Sequence, residues 1–182
     1  MDQAGLLLCD IQGKIFEKSI SKEDCSSNIF IRRFMNSKFA SRMDHLTFIN
    51  ESMTIEDVFD EINAEYGKSS YGKIKFSMNE MYWIGYVYRY LSYVYQIDSK
   101  SAYQIVKGDE LRRLFFAYHS LDPMNAIDRI LEAKSIVLDQ KNHDHLEAIN
   151  RTLKSKLRSP DEDVQQLTKK GVEIMRRIKG LK

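Results

Sequence analysis

Residues 78–97 read MNEMYWIGYVYRYLSYVYQI, and this stretch decides the expected class of fold. Ser77 and Glu80 stand at the spacing of a capping box. The serine hydroxyl there accepts from the third helical amide, and the glutamate reaches back to the cap's own N–H. Tyr82, Trp83, Tyr86, Tyr88, Tyr90, Tyr93 and Tyr95 then crowd into fourteen residues. At helical period Tyr82, Tyr86, Tyr90 and Tyr93 share one face, and Trp83, Val87, Leu91 and Val94 form the adjoining one. Large apolar groups on nearly every face describe a central helix surrounded by other elements. Buried phenols need partners for their hydroxyls. Arg89 is the only charge between Trp83 and Tyr95. In a core it requires a carboxylate or carbonyl partner; on a surface it is a binding residue. Gly85, in mid-helix, costs about 1 kcal/mol against Ala, so close approach of a second helix is its expected reason. If the rings are exposed instead, Tyr and Trp are the residues that anchor protein interfaces, and base stacking is a weaker third reading.

Outward from this helix the same periodicity recurs and strand alternation does not. Leu7, Ile11 and Ile15, with Leu8 and Phe16, predict a helix over about residues 2–18. Ser26 or Ser27 is placed to cap a helix carrying Phe30, Ile31, Phe34 and Met35. Residues 36–44 read as a short helix or a broken extension of the preceding one, with Phe39 and Met43 four apart, and 45–53 are ambiguous. Thr54 opens an acidic helix with Ile55, Val58, Phe59 and Ile62 as its core face, ending at Gly67. Residues 67–76 form a loop. Beyond the central helix, Ser99 is expected to cap a short helix, and Asp109 another carrying Leu111, Leu114, Phe115 and Tyr118. Asp122-Pro123 starts a third, with Met124, Ile127, Ile130 and Leu131. The expected fold is all-α.

The bulk numbers agree. The chain has 182 residues with only 8 Gly and 2 Pro, which excludes collagen-like and Pro/Gly-rich disordered classes. Hydrophobic residues make up 43%, enough for a core. Two cysteines, Cys9 and Cys25, make no disulfide framework and suit a reducing cytoplasm. No apolar run approaches the ~18 residues of a membrane span. Leu6–Leu8 is too short for a signal peptide and follows Asp2 rather than a basic cluster, so neither secretion nor a membrane partner is expected.

The formal charge of +2 conceals a division. Residues 135–182 hold 11 Lys/Arg and 7 Asp/Glu, which leaves 17 and 19 for residues 1–134. The last aromatic residue is Tyr118. We therefore expect a compact multi-helix domain over 1–134 and a basic helical hairpin over 135–182. The hairpin comprises one amphipathic helix over 136–157, a break at Ser159-Pro160, and a seam of Val164, Leu167, Gly171, Ile174, Ile178 and Leu181. Residues 160–182 are a candidate homo-oligomer contact. Lys169, Lys170, Arg176, Arg177 and Lys179 are candidate contacts to nucleic acid or an acidic partner.

Chemical motifs are sparse. No stretch matches GxGxxG or a P-loop. His143 and His145 stand two apart, a spacing that does not bring side chains together on a helix, so no metal is expected there. His119 ahead of Asp122 forms a conceivable acid–base pair, although a helix C-terminus is the plainer place for it. No nucleophile elbow or cysteine-enzyme signature is present. No catalytic residue, cofactor or metal is expected. Glu56, Asp57, Asp60, Glu61 and Glu65 make one helix dense in negative charge, either a solvated face or a docking surface for a basic partner.

Four strings stand in a familiar order: LLLCDIQGKIFE (6–17), FIRRFMNSKFASRMD (30–44), MYWIGYVYRYLSY (81–93) and FFAYHSLDPMNAIDRI (115–130). Together they resemble an antitoxin-like family of small bacterial proteins encoded beside toxin genes, over residues 5–134. The resemblance implies a helical, non-enzymatic immunity-type protein that binds and neutralises a neighbouring toxin, one similar to ADP-ribosyltransferases among the options. Occlusion of the toxin's active site is the expected mechanism. The acidic helix, through Glu56, Asp60 and Glu61, and the Tyr-rich helix, through Tyr86, Arg89 and Tyr90, are the expected contacts. The alternative is a helical nucleic-acid-binding regulator that uses the basic C-terminal helix.

Overall fold

The computed structural model describes residues 1–138, and within them the fold is all-helical, with no strand. The helices are α1 (Gln3–Lys22), α2 (Ser27–Met35), α3 (Lys38–Met43), α4 (Ile55–Tyr66), α5 (Met78–Tyr95), α6 (Ser99–Ile105), α7 (Gly108–Tyr118) and α8 (Pro123–Ala133). A 3₁₀ turn over Leu46–Asn50 fills the stretch that carried no clear periodicity. No described helix is long and apolar enough to cross a membrane.

Helix α5 is the centre, and its most extensive partner is α1. The two backbones meet at glycines. A Cβ on Gly85 would stand 2.7 Å from the Gln12 carbonyl oxygen and 2.8 Å from the Phe16 ring. One on Gly13 would stand 2.8 Å from the Tyr82 ring. Gly13, which costs helix propensity in isolation, is therefore a packing position. Helix α1 also runs four residues past the predicted end, to Lys22, because Ile15, Phe16 and Ser19 remain on the buried side. Phe16 anchors an aromatic core, edge-on to Phe30 at 5.5 Å and to Phe34 at 4.9 Å between ring centres. Phe34 continues to Phe39, and Phe39 to Phe48. Edge-to-face pairs of this kind contribute about 0.5–1.5 kcal/mol each beyond the area they bury.

The caps show which local signals held. Thr54 with Asp57 and Ser77 with Glu80 both form complete capping boxes. Asp122 Oδ1 accepts from Met124 N–H ahead of Pro123. Two assignments differ. Asp98, not Ser99, caps α6, because Ser99 is buried and its hydroxyl turns inward to Asp44. Lys107, not Asp109, is the cap of α7, with Glu110 accepting from its N–H; Asp109 lies within the first turn. Ser26 holds the cap position of α2 without a side-chain bond. Instead the 67–76 loop lays carbonyls on this end: Tyr71 O accepts from Ser26 N–H and Ile74 O from Ser27 N–H. Ser27 Oγ accepts from Phe76 N–H in return.

Ile136 and Leu138 still pack against the core, so it extends a few residues past 134. Residues 136–138 are not helical. The rest of the expected hairpin, including Lys169, Lys170, Arg176, Arg177 and Lys179, lies outside the described residues, as do His143 and His145.

Candidate functional site

The Tyr-rich helix divides its rings between interior and surface. Tyr88 is fully buried and donates to Val106 O at 2.7 Å; Tyr95 donates to Asp128 Oδ1 at 3.1 Å. Tyr82 donates to Asp10 Oδ1 at 2.9 Å, and Tyr93 to Asp2 Oδ1 at 2.8 Å, which ties α5 to α1. Burial, together with that bond to Asp10, pushes the Tyr82 phenol up to about 12. Tyr86 and Tyr90 are half-buried. Their rings continue a ladder from Tyr82, with centres 6.2 and 6.3 Å apart, beside Asp10 of α1 and Asp122 of α8. Burial raises both phenols, so they stay protonated and able to donate at neutral pH.

Arg89 does not join them. It is 2% exposed, so the expectation that it contacts a partner alongside Tyr86 and Tyr90 is corrected. Its Nη1 donates to Asp44 Oδ1 at 2.7 Å, Nε to Gln12 Oε1 at 2.8 Å and Nη2 to Ser99 Oγ at 2.9 Å. Burial lowers the guanidinium from its usual range, and Asp44 opposes that. Asp44 also accepts from Ser99 Oγ at 2.7 Å and Ser99 N–H at 3.0 Å, so one ion pair joins α1, α3, α5 and α6.

The acidic helix is less free than its composition suggests. Both oxygens of Glu61 accept from Arg42 Nη2, at 2.9 and 3.0 Å. Glu56 lies 3.5 Å from Lys22, Glu65 accepts from Lys38 N–H, and Asp57 serves the capping box. Asp60 is exposed in a shallow cleft shared with Lys22, Asp24 and Lys68. Nor does this surface adjoin the tyrosine ladder. Glu56 meets α1 at Lys22 and Tyr82 meets it at Asp10, which at 1.5 Å per residue is about 18 Å along the helix.

A surface unnamed by the sequence reading lies on α7. Phe116 is 88% exposed, on a helix rather than a loop. It closes a chain of rings. Trp83 of α5 meets Phe115 edge-on at 5.7 Å, Phe115 stacks on His119 at 4.7 Å, and His119 lies 6.3 Å from Phe116. His119 is the C-cap of α7, with Nδ1 2.9 Å from Phe115 O, and among the described residues no carboxylate bonds its ring. Asp122 is engaged as the α8 cap, so the two do not form an acid–base pair. The signal for Phe116 was present: it falls off the Leu111–Leu114–Tyr118 stripe and follows Arg112 and Arg113, where a core position is not expected.

Comparison with family models, curated proteins and solved structures finds no match. Within the described residues no group of His, Cys, Asp and Glu is arranged to hold a metal. What the geometry offers on α7 is one exposed ring, Phe116, on a helix that also carries Arg112, paired with Glu80, and Arg113, paired with Asp109.

Proposed function

We propose that residues 1–138 form a non-enzymatic binding module of the antitoxin or immunity type. It docks on a protein partner through the Phe116 surface and blocks the partner's active site. The observation that carries this reading is Phe116 itself, 88% exposed at the end of the Trp83–Phe115–His119 chain. Aromatic side chains bury roughly 150–250 Å² each, so covering this one removes enough apolar area to contribute about 3–5 kcal/mol at 25 cal/mol per Å². That is the scale of an interface hot spot. Tyr86 and Tyr90, half-buried with protonated hydroxyls, supply polar-tipped contacts from their own ladder beside Asp10 and Asp122. Glu56 and Asp60 are peripheral in this reading, and Glu61 is held by Arg42.

The test is to express each gene neighbouring this one alone and together with it. The expected result is a neighbour whose toxicity is relieved by co-expression and whose product co-purifies with this chain. Phe116→Ala should weaken that complex at least about 30-fold, the loss of a hot spot of about 2 kcal/mol, with no change in thermal stability. If no neighbour is toxic and none co-purifies, the reading fails. The basic sequence from Lys169 to Lys179 favours a second reading, nucleic-acid binding. A mobility shift assay at low salt, with and without residues 160–182, decides it, because phosphate contacts weaken steeply as salt rises.

A further inference from the structure

Three rings of α5 form a ladder that carries no cation. Tyr82, Tyr86 and Tyr90 are half-buried, and their centres follow one another at 6.2 and 6.3 Å, over about 12 Å of helix. Tyr82 is fixed by its bond to Asp10. The hydroxyls of Tyr86 and Tyr90 have no hydrogen-bond partner among the described residues, and neither is sealed from solvent. Other rings of this chain hold a cation of their own. Lys107 lies 4.1 Å from the Tyr103 centre, and Arg112 lies 4.5 Å from that of Phe76. Among the described residues no cation is so placed on the ladder.

The charge around these rings is negative. Asp10 and Glu17 of α1, Asp128 of α8 and its cap Asp122 are the acids that act on the three phenols. Lys14 offsets one of the four, through its pair with Asp10 at 2.7 Å. Asp122 Oδ1 accepts from Met124 N–H and Asp128 Oδ1 from the Tyr95 hydroxyl, while Oδ2 of each has no partner among the described residues.

Ring faces and carboxylates both attract cations, and one exposed cation–π contact strengthens binding about two- to fivefold. Arginine suits both at once, because its planar guanidinium stacks on a ring while its N–H groups reach a carboxylate. A phosphate backbone would be repelled by the same carboxylates. Spacing selects the segment. Alternate residues of an extended chain stand on one side about 6.6–6.8 Å apart, which matches the step of the ladder.

We propose that the Tyr82–Tyr86–Tyr90 ladder binds an extended peptide segment with arginine at alternate positions. One guanidinium lies on each ring, and Asp122 and Asp128 accept from the one at the Tyr90 end. This gives a chemistry to the ladder contacts of the binding module proposed above, and it rests on that reading only in assigning the segment to the partner.

The experiment titrates the full chain at low salt with three blocked pentapeptides, followed by the ring NMR shifts of Tyr82, Tyr86 and Tyr90. The peptides are Arg-Ser-Arg-Ser-Arg, the same sequence with citrulline for arginine, and Arg-Arg-Arg-Ser-Ser. The alternating peptide should give saturable shifts in the millimolar range or below. Its citrulline counterpart, of the same shape but uncharged, should bind at least about tenfold more weakly, for three lost cation–π contacts. The clustered peptide should bind about two- to fivefold more weakly, for one lost contact. Tyr86→Phe keeps the ring and should bind as the parent chain does. Tyr86→Leu removes the ring and should weaken binding about two- to fivefold. Asp122→Asn keeps the cap oxygen, removes the charge, and should weaken it about twofold or more. Absence of saturable shifts, equal binding of the citrulline or the clustered peptide, or unchanged binding in Tyr86→Leu or in Asp122→Asn would each overturn the proposal. No toxin enters this titration, so it can fail while the co-expression test succeeds, and the reverse.

Discussion

The Arg89–Asp44 pair is where a single change should have its largest effect. Arg89 is 2% exposed and Asp44 is 12% exposed, and they meet at 2.7 Å. Asp44→Ala strands a guanidinium whose remaining partners, Gln12 and Ser99, are neutral. Removing one member of a buried pair costs about 3–5 kcal/mol, because the surviving charge can neither ionise freely nor reach water. Arg89→Met leaves Asp44 better placed. It keeps both bonds from Ser99 and a partly exposed edge, so we expect about 1–3 kcal/mol. The double variant strands no charge. Its cost should fall short of the summed single costs by about 2 kcal/mol, as expected for residues in direct contact. Urea unfolding followed by far-UV circular dichroism measures all three. With m of about 1–3 kcal/mol per molar, Asp44→Ala should lower the midpoint by about 2 M. If Asp44→Ala lies within about 1 kcal/mol of the parent chain, or if the two substitutions simply add, the pair is not the isolated interior charge described above.

Other consequences are smaller but distinct. Gly85→Ala should destabilise by about 1–3 kcal/mol despite the better helix propensity, because the added methyl meets a backbone carbonyl; Gly13→Ala should cost less, since the half-buried Tyr82 ring can shift. Equal stabilisation of both variants in the same unfolding assay would show that α1 and α5 do not approach so closely. Burial pushes the Cys9 thiol up to about 12, so the folded state disfavours the thiolate. That contribution to stability is intact below the ordinary value of 9.0 and is lost as pH rises from there toward 12. Iodoacetamide at pH about 8 should therefore label Cys9 only as fast as the protein unfolds, and rapid labelling of the native chain would refute its burial. Glu110 is held below the ordinary 4.5 mainly by its hydrogen bond to Lys134. A depressed carboxylate stabilises above its ordinary value and loses that contribution as pH falls through its folded one. Lys134→Ala should reduce this acid sensitivity while costing under about 1 kcal/mol at neutral pH, since both side chains are about 30% exposed. An unchanged acid unfolding profile would remove the pair as a contributor.

How much was legible in advance follows the range of each interaction. Helix starts are written within three or four residues. Thr54 with Asp57, Ser77 with Glu80 and Asp122 before Pro123 could all be read from spacing alone. The choice between Asp98 and Ser99 could not, because both are good caps and a carboxylate 54 residues from Asp98 draws Ser99 inward. The apolar period of residues 78–97 placed α5 at the centre, and that reading needed no tertiary information. Which phenols remain at the surface depended on where α1 and α8 lie against it, and Arg89 took its partner from the end of α3. The acidic helix announced its charge in the sequence, yet Arg42 and Lys22, remote along the chain, settle how much of that charge is free. Phe116 was legible in part: its place off the Leu111–Leu114–Tyr118 stripe marks a position outside the core, and the packing of α7 then leaves the ring 88% exposed. Local hydrogen bonds and periodicity thus determined the helices and their centre. Burial, ion pairing and exposure, which arise when distant segments meet, were decided by the tertiary structure.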